Sequence, residues 1–321
     1  MKDEIEKLLL TDVPFAIFQL PGESGWHRSG REGFEVLVNN YNRPLTCAKP
    51  VSSYNDGITS ESFPQTTSKE QYTKAVDYIR NKFHGDENLK TVLSRVVTGV
   101  TKVKEIAKGA QTFFAENPGT FRLLLQTYNG HIWLMATPEV LLEMQPYGTF
   151  RTMALAGTRP VTKKETPWDA KNLSEQKIVS DYIRSILENR DATFTAAGPK
   201  TKISGAIEHI CTEFIGQIDT DLSLIDLLSP TPAVAGFPKE ESIELISRLE
   251  DYRRTFYSGY TLVKNQEGTT TAYVNLRCAC VEKNTGRYAV FAGGGITASS
   301  QPEAEYAETS LKAGKLIEVL E

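Results

Sequence analysis

An α+β fold, with large antiparallel sheets flanked by helices, is what the sequence predicts, on three observations. FRLLLQTY and HIWLMA are apolar runs on either side of Asn129-Gly130, a dipeptide suited to a tight hairpin turn. A second pair of runs, TTTAYVNLRCACVEK and RYAVFAGGG, turns at Gly286. The amphipathic stretches stand apart from these hairpins rather than alternating with single strands, so parallel βαβ units are not expected.

Each element follows in order. PFAIFQL and FEVLV, between Pro14 and Pro50, read as short strands. Residues 51–67 are rich in Ser, Thr, Asn and Gly and read as loop. Ser68 caps an amphipathic helix, KEQYTKAVDYIRNKF, that ends near Gly85. Residues 90–101, KTVLSRVVTGVT, are β-branched and read as a strand. After the Asn129-Gly130 hairpin, TFRTMALAG is a strand ending at Gly157. TRPVTKKETPWD is a charged loop with two prolines, and NLSEQKIVSDYIRSILENR is a helix. Residues 239–252 form another helix. TTTAYVNLRCACVEK reads as one long strand, with Cys278 and Cys280 on one face as small core residues and Arg277 mid-strand on the other. FAGGGI reads as a strand running into a glycine turn. PEAEYAETSLKAGKLIEVLE is the last helix, with Pro302 in its first turn.

The 321 residues are 40% hydrophobic and 24% charged, which suits a globular core and excludes a disordered or fibrous chain. Without internal repeats or a low-complexity linker, residues 1–321 are expected to form one compact unit. No apolar run approaches the ~18 residues of a membrane span. The acidic start, MKDEIEKLLLTDVPF, lacks the features of a secretory leader. A net charge of −4 argues against nucleic acid as partner. Cys47, Cys211, Cys278 and Cys280 show no CxxC spacing, and His27, His84, His131 and His209 have no ligand-like neighbours in sequence. Neither a disulfide framework nor a His-based metal site is expected, and a cytoplasmic location is the simplest.

The most informative residue is Glu175. At 100° per residue, Ile178, Val179, Tyr182, Ile183, Ile186 and Leu187 form an apolar arc, with Glu175 near its middle and Asn172 inside it. A carboxylate facing a core is costly unless it is paired or coordinated. The alternative is a first-turn Glu that is helped by the helix dipole and still reaches water. Glu305, Glu308 and Lys312 share one flank of the last helix, which alone reads as an exposed Glu–Lys pair. Two helices offering carboxylates together suit a hard cation such as Mg2+, which takes oxygen ligands and keeps waters for an anionic substrate. Gly293–Gly295 could present backbone N–H groups to an anion, or be a flexible turn. Arg277 could hold a carboxylate bidentately, or face solvent. By spacing alone Lys90 and Glu139 read as surface charges.

Eight segments then line up. They are KTVLSR (90–95), TPEVLL (137–142), LAGTRP (155–160), SEQKIV (174–179), SPTPAVAGFP (229–238), YVNLRCA (273–279), FAGGGITASS (291–300) and EYAETSLK (305–312). Together they resemble the chorismate-utilising enzymes, most of all isochorismate synthase. The resemblance runs from about residue 89 onward, leaving about residues 1–88 to complete the sheets. It implies large antiparallel sheets with the active site in a cleft. It also implies Mg2+ held by Glu175 and Glu308, with Asn172 and Glu305 supporting it through water. Arg277, Gly293, Gly294, Gly295 and Lys312 would cradle the two substrate carboxylates. Gly157 and Thr158 would wall the ring, with Ala233, Val234, Tyr257 and Leu276 completing the pocket.

Two positions point to the branch. Lys90 matches the water-activating lysine of isochorismate and salicylate synthases, where ammonia-using relatives usually carry Gln. Ala156 stands where aminodeoxychorismate synthase usually has a ring-attacking lysine. The resemblance therefore implies isomerisation of chorismate to isochorismate, with Lys90 as base for water and Glu139 as acid for the departing hydroxyl. It implies a monomer without an amidotransferase subunit, serving menaquinone or siderophore biosynthesis. A salicylate synthase, which goes on to eliminate pyruvate, and a non-catalytic chorismate-binding protein are the alternatives. Ser229 replaces the His usual in isochorismate synthases.

Overall fold

The computed structural model describes residues 2–31, 33–86, 88–161, 166–205, 207–219 and 222–321. Part of the charged loop read at TRPVTKKETPWD, residues 162–165, lies outside the described residues.

Two antiparallel sheets of eight strands each form the body. The first runs, in spatial order, Gly236–Phe237, Lys90–Val100, Arg287–Ile296, Cys278–Glu282, His131–Thr137, Phe121–Gln126, Phe15–Gln19 and His27–Arg28. The second runs Thr193–Ser204, Ile207–Gln217, Thr149–Pro160, Val140–Met144, Thr270–Val274, Tyr260–Lys264, Glu35–Asn39 and Lys49–Pro50. Alternation along single strands decides the layering. In His131–Thr137, Trp133 and Met135 join Val140, Met153, Leu155 and Tyr273 in the core between the sheets. Ile132, Leu134 and Ala136 pack on the opposite face, against helices Lys2–Leu9, Ile106–Ala115 and Pro302–Leu320. Cys278 and Cys280 lie in the inter-sheet core, as their shared face predicted. The outer face of the second sheet is covered by helix Ala170–Asn189 through Val179, Ile183 and Leu187. Helices Lys69–Lys82 and Lys239–Leu249 close one end of the first sheet.

Ser68 caps its helix as read, its hydroxyl accepting from Gln71 N–H while the Gln71 side chain accepts from Ser68 N–H. Residues 51–67 remain largely irregular, yet Val51, Tyr54, Ile58 and Phe63 anchor them in the core. Two readings are corrected, and one hairpin was missed. The long strand through Arg277 is two strands in different sheets: Thr270–Val274 ends in the second, Cys278–Glu282 begins in the first, and Arg277 sits in the crossing at φ 49°. Period-2 apolarity continues across the break, so the pattern alone could not show it. FAGGGI is not a turn but the end of strand Arg287–Ile296, paired with Lys90–Val100 as far as Ile296↔Thr91. The hairpin Thr193–Ser204 with Ile207–Gln217 went unread because its outer strand is largely exposed and lacks an apolar face.

Candidate active site

The chain crosses between the sheets at two adjacent places, and each presents a candidate. Strand His131–Thr137 passes through Pro138-Glu139 into Val140–Met144. Thr270–Val274 passes through Asn275–Arg277 into Cys278–Glu282, and Val274 N–H donates to Glu139 O at 3.1 Å. The neighbouring pocket is a concave cleft, open at its mouth and lined by both apolar and charged side chains. Every substrate-contact residue expected from the sequence lines it: Gly157, Thr158, Ala233, Val234, Tyr257, Leu276, Arg277, Gly293, Gly294, Gly295 and Lys312. Glu139 and Glu175 line it as well.

Glu139 is not a surface charge. It is 3% exposed, and burial raises its carboxyl pKa to about 7 against the opposing pull of Lys90, Thr231 and Lys202. Lys90 is also fully buried, at the start of its strand; it lies against Gly295 of the pocket wall and does not itself line the pocket. Burial pushes its ammonium below the ordinary lysine range, opposed by Glu175, whose Oε1 lies 3.0 Å from Lys90 Nζ. That contact is an ion pair without hydrogen-bond alignment.

Helix Ala170–Asn189 starts two residues earlier than the sequence suggested, because Asp169 caps it by accepting from Asn172 N–H. Glu175 therefore lies beyond the first turn, which removes the helix-dipole reading. It is buried in line with Asn172, Val179, Ile183 and Leu187, and its pKa falls to about 2: burial raises it, but Lys90 and Lys171 more than reverse that. Asn172 has local work. Its Oδ1 accepts from Thr158 N–H at 3.0 Å and its Nδ2 donates to Asp169 at 2.7 Å, which ties the helix to the Gly157-Thr158 wall.

On helix Pro302–Leu320, Glu305 is 3% exposed. Glu308 accepts from Lys312 Nζ at 2.8 Å, and the same ammonium donates to Gly293 O at 2.9 Å. The exposed-pair reading of Glu308 and Lys312 thus gives way to a half-buried pair aimed at the glycine strand. Asn172, Glu305 and Glu308 line a second cavity beside the first, together with Lys171.

The donor set fits Mg2+ on two observations. Glu305 Oε2 is buried, and no donor among the described residues meets it in hydrogen-bond geometry. The glycines keep the space beside these carboxylates open. A Cβ at Gly294 would come within 3.4 Å of Glu305 Oε2 and 3.8 Å of Glu308 Oε1, and one at Gly295 would collide with Glu175 and lie 2.7 Å from Lys90 Cε.

His209 was missed. Its Nδ1 lies 2.9 Å from Gly157 O, a contact that requires an N–H there, so Nε2 accepts from Arg277 Nη2 at 3.1 Å. Burial, Arg277 and Lys312 hold its pKa at about 3, so the ring is neutral. Ser204 accepts from the other arm of the guanidinium, Arg277 Nη1 to Oγ at 2.9 Å. No spacing in the sequence links His209 to Arg277; the link is a contact between a strand of the second sheet and the crossing that carries Arg277. A second histidine departs from expectation, since His131 lies with Asp56 and Cys280 in one buried cluster. Ser229 lies outside the pocket lining, and its carbonyl accepts from Lys239 Nζ at 2.7 Å.

The family model described as chorismate binding enzyme matches residues 36–321. Isochorismate synthase EntC of Escherichia coli is 29% identical over 245 residues, covering 72% of this chain and 62% of that protein. Isochorismate synthase MenF of Haemophilus influenzae is 30% identical over 227 residues, covering 66% of this chain and 52% of that protein. The chain thus spans between half and two thirds of these relatives in the matched region. The solved structure of the menaquinone-specific isochorismate synthase MenF from Escherichia coli superposes with a TM-score of 0.76 at 17% identity, over 99% of this chain and 91% of that one, which shows the shared fold. Among the described residues no helix is long and apolar enough to cross a membrane.

Proposed function

The chain belongs to the chorismate binding enzymes, and on that premise we propose that it isomerises chorismate to isochorismate with Mg2+. The observation that carries this reading is Glu139. A buried carboxyl with a pKa raised to about 7 stands in the wall of a pocket that also presents Arg277, Lys312 and the Gly293–Gly295 strand.

Arg277, fixed by His209 and Ser204, and Lys312 supply the positive charge for a dicarboxylate. Water attacks C2 of the ring, the double bonds shift, and the C4 hydroxyl leaves as water. Lys90, as neutral amine, takes the proton from the attacking water, and Glu139, as neutral acid, gives one to the leaving hydroxyl. Exchange with solvent restores both. Burial favours the form each residue needs. Mg2+ at Glu175 and Glu308, supported by Glu305 and Asn172, would anchor and neutralise a substrate carboxylate. Ala156 leaves the pocket without a ring-attacking lysine at that position. We assign the chain a monomeric, cytoplasmic role without an amidotransferase subunit, supplying menaquinone or siderophore biosynthesis.

The test is purified protein with chorismate and Mg2+, products separated by chromatography and pyruvate assayed in parallel. Isochorismate without pyruvate, lost on chelation, is the expected result. Salicylate with stoichiometric pyruvate would replace the reading by salicylate synthase, and no product at high enzyme concentration would replace it by a binding protein.

A further inference from the structure

Three carboxylates and three ammonium groups pair across the two cavities, with Glu175 and Lys312 lining the first and Lys171, Glu305 and Glu308 the second. Lys90 lies 3.0 Å from Glu175, Lys171 is 2.8 Å from Glu305, and Lys312 is 2.8 Å from Glu308. The three lysines are not equivalent. Lys90 is fully buried at the start of a sheet strand, and Lys312 is also tied to Gly293 O. Lys171 alone among the three reaches carboxylates on both helices, with Glu175 Oε2 at 3.8 Å as well as Glu305 Oε1 at 2.8 Å. That bridging place is one a divalent cation would take. Lys171 also has somewhere to go: its side chain is one-fifth exposed and lines the open cavity beside Asp169.

We infer that Lys171 is a built-in counter-cation, which bridges Glu305 and Glu175 while no divalent ion is bound and must withdraw when one arrives. The inference rests on the proposed Mg2+ site and adds to it a residue that opposes the metal. It explains how three carboxylates share one cluster without a metal: each has a lysine partner, and the buried Glu305 Oε2 has no hydrogen-bond donor among the described residues. It also sets a price, because metal binding must break the Lys171–Glu305 contact. Taking the ammonium away should strengthen divalent binding while weakening the metal-free fold.

The experiment titrates MgCl2 calorimetrically into wild-type protein and the variants Lys171→Met, Lys171→Gln and Lys171→Arg, without any dicarboxylate. Melting curves in EDTA accompany it. Lys171→Met and Lys171→Gln are expected to bind Mg2+ about tenfold tighter than wild type. Both should melt at lower temperature in EDTA and gain more from Mg2+ than wild type does. Lys171→Arg, which keeps the charge, should stay close to wild type in affinity. Two neutral variants of different polarity guard against one failing to fold. If wild type binds Mg2+ and the neutral variants bind it equally or more weakly, the counter-cation role is overturned and the metal site stands. If neither wild type nor any variant binds Mg2+, both readings fall.

Discussion

Two buried polar clusters lie in this molecule, and they are built on opposite rules. In the first, Asp56 accepts from His131 Nδ1 at 2.9 Å, Trp133 Nε1 at 2.8 Å, Asn129 Nδ2 at 2.8 Å and Ile58 N–H at 3.0 Å. Cys280 stands close enough to complete a three-residue metal-ligand set. Yet the Asp56 oxygens are already engaged, and this cluster fastens the irregular segment 51–67 to the first sheet. In the second cluster Glu175, Glu305 and Glu308 are held by lysines, Glu305 Oε2 has no aligned donor among the described residues, the Lys90–Glu175 contact is unaligned, and glycines keep the adjoining space clear. Burial and acidity are common to both. A saturated carboxylate secures the fold, whereas carboxylates with movable counter-ions and an open lone pair are prepared for a ligand.

The comparison can be broken most severely at the acid–base pair. Lys90→Gln or Glu139→Gln should lower turnover about 10³-fold while Mg2+-dependent chorismate binding survives, read by single-turnover kinetics and calorimetry. Near-wild-type turnover in either variant would remove the role assigned to that residue. Asp56→Ala should act on the other side of the comparison. It strands buried donors on His131, Trp133 and Asn129 and should cost about 3 kcal/mol in urea unfolding, with turnover per folded molecule little changed. A large loss of turnover with intact stability would make the first cluster functional after all.

Gly295→Ala should weaken ligand binding by about 1–3 kcal/mol, because its methyl group collides with Glu175 and crowds Lys90. Unchanged chorismate affinity would mean that this space is not used. The smallest effect concerns pH. Glu139 must carry its proton to act as an acid, so activity should fall as pH rises through about 7, roughly tenfold per unit beyond it. Lys202 favours the ionised form of Glu139. Lys202→Met should therefore move that limb to higher pH, and a limb that stays put would assign it to another group.

Much of the fold was legible because its signals are local. The Asn129-Gly130 hairpin, the Ser68 cap, the shared face of Cys278 and Cys280 and the apolar arc around Glu175 each need only a dozen neighbouring residues to be read. The eight family segments likewise carried the pocket residues other than Tyr257, and all of them line one cavity. Lys90 and Glu139 were different: spacing alone gave them surface positions, and only the resemblance singled them out. Their burial, and with it the displacement of their pKa values, comes from strands far apart in sequence. The crossing at Arg277 was invisible because apolar alternation continues through a change of sheet. The glycine strand read as a turn because composition does not say what lies opposite a missing Cβ. His209 on Arg277 and Lys171 between two helices follow from no spacing at all. The sequence determined which residues could be helix, strand and core, since those depend on near neighbours. Tertiary structure alone decided which charges are buried together, since that depends on desolvation and on partners brought in from across the chain.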